Sequence, residues 1–254
     1  MSDETVVNPS KRRFGGISRL YGTDALNKFQ NAHICVVGVG GVGSWLVEAL
    51  ARTGVGAMTL IDMDHVAESN INRQLPALGS TLGASKIQVL KERCMDINPA
   101  CGVDLIDEFV DLENLPKLIT DDFDLVADCI DSFRVKAALI AHCRKRKQPI
   151  ITIGGAGGQI DPTRITVSDL YKTEQDALLA KTRRTLRRDY GFSSNPKRRF
   201  DVPCVWSDEP LRQNESCDTQ QDSSLNCAGF GSCMPVTATF AMAAAAKILK
   251  ILEK

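Results

Sequence analysis

Residues 38–44 read GVGGVGS, directly after the apolar run HICVV at 33–37. Four glycines in the six positions 38–43 are entropically costly unless something must approach the backbone more closely than a side chain allows. Gly38, Gly40 and Gly43 fit G-x-G-x-x-G between a predicted strand and a predicted helix over 42–52. In that setting the first glycine turns the chain and the second admits phosphate oxygens to the backbone. The third lets helix and strand pack closely, with helix N–H groups aimed at the anion. A second strand, AMTLID, ends on Asp62, 19 residues past Gly43, where a carboxylate can hold ribose hydroxyls. These features specify an adenine nucleotide and leave both ATP and NAD open.

Outward from this turn, strand and helix alternate in units of roughly 30 residues. Strands are expected in GVDLIDEFV (102–110), FDLVADCID (123–131) and QPIITIG (148–154), with amphipathic helices over 84–98 and 132–147. GQIDPTRITVSD (158–169) reads as a hairpin around Asp161-Pro162. The predicted fold is α/β, a doubly wound, mostly parallel, Rossmann-like sheet with an irregular C-terminal extension and a terminal helix. Residues 1–12 read as a loose tail, 13–168 as the nucleotide-binding domain and 169–254 as a substrate-binding part. Periodicity fades after Asp169, and residues 181–200 hold eight Lys or Arg against one Asp, which suggests a mobile insertion.

With 43% hydrophobic and 24% charged residues, the 254-residue composition is that of a soluble globular protein. Its net charge of zero means that any nucleic acid must be met by a local patch. Nine cysteines, an odd number without a signal peptide, point to free thiols and a cytoplasmic location. No C-x-x-C pair exists, which argues against a structural zinc site of the usual spacing. The uncharged stretch 223–246 is expected to end in a buried core helix, with membrane attachment as the alternative. Cys204, Cys217, Cys227 and Cys233 are the cysteines expected to be accessible.

The segment DMDHVAESNINRQ (62–74) supplies Asp64, Asn70, Arg73 and Gln74, and GASK supplies Lys86 at a helix start. A dehydrogenase has no general need for an arginine and a lysine beside the phosphates. An enzyme that expels pyrophosphate does, because charge builds on the leaving oxygens. GSTLGASK misses the P-loop pattern. The fourth strand ends DCIDS, so Asp128 and Asp131 bracket the crevice, and Asp131 is the preferred Mg²⁺ ligand.

Together GVGGVGS, Asp62, SNINRQ, GASK, DLVADCIDS and GGAGGQI resemble the ubiquitin-activating-enzyme-like superfamily that includes MoeB and ThiF. The resemblance covers roughly residues 13–168 and implies ATP-dependent adenylation of a carboxylate by a homodimer. It implies ATP contacts at Gly41, Asp62, Asn70, Arg73, Lys86 and Asp131, with the Arg73 position often reaching the partner's site. It also implies a second arginine in an N-terminal R-x-x-R run; here Gly16 follows Arg13 at that spacing, leaving Arg19 as the substitute. Without zinc cysteines or a catalytic-cysteine domain, and with RFGGISRLYG and DPTRITVSDLYKTEQDALLAKTRRTLRR, the chain looks like the tRNA threonylcarbamoyladenosine dehydratase family. That resemblance implies ATP-dependent cyclisation of the threonylcarbamoyl group on the adenosine 3′ of the anticodon, through a threonyl adenylate. Arg183, Arg184, Arg187, Arg188, Lys197, Arg198 and Arg199, around Tyr190 and Phe192, are then the expected tRNA contacts. Arg73, Lys86 and Asp131 are the expected catalytic residues. Cysteine-desulfurase sulfur-relay proteins are candidate partners. The rival readings are an adenylating enzyme for a ubiquitin-like sulfur carrier, a nicotinamide dehydrogenase, and a non-catalytic scaffold.

Overall fold

The computed structural model describes residues 9–195, 197–212 and 231–254. Among them one sheet has the strand order β3-β2-β1-β4-β5-β7-β6. The strands are β1 (His33–Val37), β2 (Ala57–Ile61), β3 (Gly102–Ile106), β4 (Leu125–Asp128), β5 (Ile150–Ile153), β6 (Ile165–Asp169) and β7 (Pro203–Ser207). All neighbours pair in parallel except β6, which closes the edge antiparallel to β7 with Val167 opposite Val205. The sequence HICVV is apolar throughout because both sides are covered: Ile34 and Val36 join one core cluster, Cys35 and Val37 the other. Strand order reverses between β1 and β4, so a crevice opens above the carboxyl ends of those two strands. The doubly wound, Rossmann-like expectation holds.

The helices are α1 (Pro9–Tyr21), α2 (Thr23–Asn31), α3 (Gly43–Arg52), α4 (Lys86–Ile97), α5 (Leu115–Leu118), α6 (Phe133–Lys145), α7 (Ala177–Asp189) and α8 (Met234–Leu252). Helices α3, α4 and α8 supply one core cluster; α5, α6 and α7 supply the other. Glu48 on α3 pins α4 in place. Burial alone would raise its carboxyl, but hydrogen bonds from Arg93 and Arg52 outweigh that and hold it below its ordinary value. By length and composition α8 passes as a membrane span. Here Val236, Phe240, Ala241, Ala244, Ala245 and Ile248 are buried at helical spacing, and the expected core helix is what forms.

Four expectations need correction. Helix α1 begins at Pro9, so residues 9–12 are not a loose tail. The hairpin around Asp161-Pro162 does not form. Asp161 instead caps a short 3-10 turn at Pro162–Arg164, and β6 finds its partner in β7. The basic stretch is not a structureless insertion: α7 packs on α6, burying Leu178, Leu179, Thr182, Thr185 and Leu186. Finally β7, expected as loop, lies inside the sheet with Cys204 to Ser207 buried. The boundary drawn at residue 168 therefore falls within β6, and one sheet spans both parts of the chain.

Candidate active site

The glycine turn does what its spacing demands. Gly38 sits at φ +85°, and its N–H donates to Ile61 O at 2.9 Å, the last rung of the parallel ladder to β2 before the chain turns. At Gly43 a Cβ would lie 1.9 Å from Gly38 O, so helix α3 can start there only without a side chain. Gly40 and Gly41 line the cleft above. Asp62 is buried beneath the turn, one oxygen accepting from Val39 N at 2.7 Å and the other from Asp64 N at 2.9 Å. The turn and Asp62 thus brace each other.

The cleft has a volume of about 260 Å³ and gathers Gly38, Gly40, Gly41, Asp62, Arg73, Lys86 and Asp131 on its wall. Arg73 is held from several sides. Its Nη1 donates to Ser69 O at 2.8 Å and Asn72 Oδ1 at 2.9 Å, and its carbonyl accepts from Trp45 Nε1. No carboxylate among the described residues pairs with it, and it lines the cleft of its own chain. Lys86 is buried and forms an ion pair with the half-exposed Asp64 at 2.7 Å. An ammonium with three donors can keep that pair and still face an anion. Asn70 does not join the wall: its Oδ1 accepts from Ala67 N and closes a 3-10 turn.

The structure separates the two aspartates of DCIDS. Asp128 is fully buried, paired with the equally buried Lys136 at 2.8 Å and accepting from Thr152 Oγ1 at 2.6 Å. That makes it a fastening between β4, β5 and α6. Asp131 is exposed on the cleft wall, so it is the carboxylate that can reach a ligand.

Gln74, read from the sequence beside Arg73, is buried on the wall, and its Oε1 has no hydrogen-bond partner within the described protein. Phe109, Val110 and Asp176 were not anticipated. Phe109 and Val110, past the end of β3, add an apolar wall with Val37, Ile61 and Ile130. Across the cleft, Gly154 to Gly157 form its floor. Asp176 caps α7 through Leu179 N at 2.9 Å, while its second oxygen accepts from Gly155 N at 2.8 Å. Burial raises the Asp176 carboxyl above its ordinary value, against those backbone donors and Lys136.

Cys129 also lines the cleft, but burial and the neighbouring Asp128 push its thiol up to about 12. A thiol raised that far stays protonated through neutral and mildly alkaline pH and is a poor nucleophile. Cys129→Ala is therefore expected to keep turnover within about twofold, and wild-type Cys129 to resist iodoacetamide up to roughly pH 9, read by mass spectrometry. Cys204, expected to be accessible, is instead fully buried in β7, with its thiol raised well above the ordinary value by burial. Cys233 is half-buried, and Cys217 and Cys227 lie outside the described residues.

The expected RNA-contacting residues divide. Arg183 is half-buried and donates to Thr173 Oγ1; burial and Arg187 pull its guanidinium below the ordinary value. Arg187 stacks over Phe200 with its guanidinium 5.3 Å from the ring centroid. Both serve packing. Arg188 pairs with Asp189, and Arg199 lies 3.6 Å from Asp201 and 3.7 Å from Asp169. Arg184, Lys197 and Arg198 are exposed without an acid partner among the described residues. Arg144, Lys145, Tyr190, Phe192 and Arg198 border a groove at the far ends of α6 and α7. Of the two N-terminal arginines, Arg13 caps α4 by donating to Asp96 O and Ile97 O. Arg19 is exposed on α1, and neither reaches the cleft of its own chain.

A model of the ThiF family matches residues 16–254. A tRNA threonylcarbamoyladenosine dehydratase of Haemophilus influenzae is 51% identical over 253 residues, covering 98% of this chain and 96% of the relative. The crystal structure of the E. coli tRNA N6-threonylcarbamoyladenosine dehydratase in complex with ATP superposes with a TM-score of 0.88 at 49% identity. That match covers 97% of this chain and 96% of the other. A molybdopterin-synthase adenylyltransferase of Haemophilus influenzae is 32% identical over 166 residues, covering 62% of this chain and 67% of the relative.

Proposed function

The chain belongs to the ThiF family, and within it to the tRNA threonylcarbamoyladenosine dehydratases; from that premise we propose that the cleft adenylates the threonyl carboxylate of the modified anticodon-loop adenosine. The observation that carries this reading is one cleft holding the glycine turn, Asp62, Arg73, Lys86 and Asp131. A carboxylate oxygen attacks the α-phosphorus of ATP, and the bond from that phosphorus to pyrophosphate breaks. Arg73 and Lys86 face the charge that collects on the departing oxygens. The ureido nitrogen of the same side chain then attacks the acyl carbon, AMP leaves with the carboxylate oxygen, and the nitrogen loses its proton as a five-membered ring closes.

The ring closes without a protein nucleophile, because intramolecular attack reaches effective molarities of about 10⁵ M or more. The raised Cys129 thiol agrees with that. Asp131 fits Mg²⁺ in the way this ion is usually held, by one or two carboxylates plus substrate phosphates, and among the described residues no richer ligand cluster is present. Bound there, the ion would neutralise phosphate charge. The exposed Ile71, Leu78 and Leu82, in the same inter-element segment as Arg73, support the homodimer reading. Of the four cysteines expected to be accessible, Cys233 is the described one that keeps exposure for a sulfur-relay partner.

The sulfur-carrier alternative would use the same nucleotide residues, and the lower identity and coverage of the adenylyltransferase weigh against it. The deciding experiment is nucleoside mass spectrometry of tRNA from cells lacking this chain, complemented with wild type or Asp131→Ala. The cyclised nucleoside is expected to vanish, return with wild type and stay absent with Asp131→Ala. Its persistence without the chain would overturn the reading.

A further inference from the structure

The outer face of α7 begins at the cleft. Ala177 lines the cleft wall, and Lys181 stands one turn further on along the same face. The Lys181 ammonium lies 5.7 Å from the centroid of the Phe133 ring, and the Arg134 guanidinium lies 5.7 Å from the same centroid. Phe133 opens α6 two residues after Asp131, so the ring gathers two cations where the first turns of α6 and α7 meet at the cleft rim. Neither cation pairs with a carboxylate among the described residues, and both are exposed. Held near an aromatic ring, they keep their charge available while losing part of their side-chain freedom in advance. From Lys181 the exposed face continues through Arg184 to Arg188, about 10 Å along the helix.

We propose that Phe133, Arg134 and Lys181 form a phosphate clamp at the cleft rim, gripping the RNA backbone beside the reacting nucleoside while Arg184 and Arg188 carry the strand away along α7. The inference rests on the dehydratase reading, since it requires a single-stranded RNA segment at the cleft. Charge, spacing and position all suit a phosphodiester chain. A triphosphate deep in the cleft is served instead by Arg73 and Lys86, which are on the wall.

The test measures binding of a fluorescent anticodon stem-loop RNA across a salt series, together with ATP binding by calorimetry. An Arg134→Ala/Lys181→Ala double variant is expected to bind RNA roughly tenfold more weakly at 0.1 M salt. Its slope of log affinity against log salt should be shallower by roughly 1.4, about 0.7 for each single-strand phosphate released. ATP affinity should not change, and Arg134→Lys/Lys181→Arg should restore both the affinity and the slope. An unchanged slope in the alanine variant while wild type binds RNA overturns the clamp and leaves the dehydratase reading standing. A fall in ATP affinity overturns the clamp by assigning these cations to the triphosphate. Absence of salt-dependent RNA binding by wild type overturns both.

Discussion

Gly43→Ala is expected to abolish measurable ATP binding and to lower the thermal midpoint by about 10 °C, the largest structural effect of any single methyl in the site. The new Cβ would sit 1.9 Å from Gly38 O and 3.3 Å from Cys129 Cβ. Gly38 is itself confined, because a Cβ on it would lie 3.1 Å from Cys129 O and its own N–H is fixed to Ile61 O. The methyl group meets a backbone oxygen, and a Cβ has no rotamer that could move it aside, so a cost of about 3 kcal/mol follows. Moving α3 away would also pull Val39 N off Asp62 and disturb the ribose end of the cleft. Differential scanning fluorimetry with and without ATP checks both halves. An alanine variant with wild-type midpoint and ATP shift would show that the turn tolerates the methyl group after all.

Arg73→Ala is expected to slow the adenylation step about 10²–10³-fold, equivalent to ~2.7–4 kcal/mol, with a much smaller change in KM for ATP. Its charge is needed most when the pyrophosphate oxygens depart. Its side chain is already oriented by Ser69 O and Asn72 Oδ1 and carries no carboxylate partner among the described residues, so little reorganisation is required at that moment. Arg73→Lys should recover only part of the rate, because Nη1 alone makes those contacts and leaves the rest of the guanidinium to face the phosphates, whereas an ammonium is a single point charge. Substrate-dependent exchange of labelled pyrophosphate into ATP, run at saturating ATP, reads the step directly. Equal exchange rates for wild type and Arg73→Ala would remove this residue from the chemistry.

The parts of the molecule that were legible in the sequence are those whose apolar runs have abrupt ends. HICVV, AMTLI and IITI are continuous because both sheet faces are covered, and each is followed by the glycine or aspartate that marks the crevice. Helix α7 was hidden because two of its core positions are threonines. The Thr182 hydroxyl is satisfied by Leu178 O at 2.8 Å, which lets a polar residue occupy an interior site. Strand β7 is only five residues long, and its pairing with β5 joins segments about fifty residues apart that no local pattern connects. Helix α1 contains Gly15 and Gly16, against its propensity.

In the site, the glycine spacing, Asp62, Arg73 and Lys86 came from short-range pattern. Asp131 was preferred over Asp128 on the same ground, but the reason Asp128 is withdrawn, its pairing with the buried Lys136 eight residues later, appears only in the fold. Phe109 and Asp176 reach the cleft only through topology, from the ends of β3 and the start of α7.

Asp176 has a consequence for how the two halves of the reaction are held together. One oxygen fastens the first turn of α7 and the other fastens the loop under the nucleotide, so a single buried group serves as the rivet of both. Hydrogen bonds tolerate only a few tenths of an ångström before they weaken, so the helix cannot tilt without carrying the loop along. The distance from the face of α7 proposed to meet RNA to the cleft proposed to hold ATP is therefore set once, when the chain folds. A redesign meant to admit a bulkier nucleoside would have to begin at residue 176, where both are fastened.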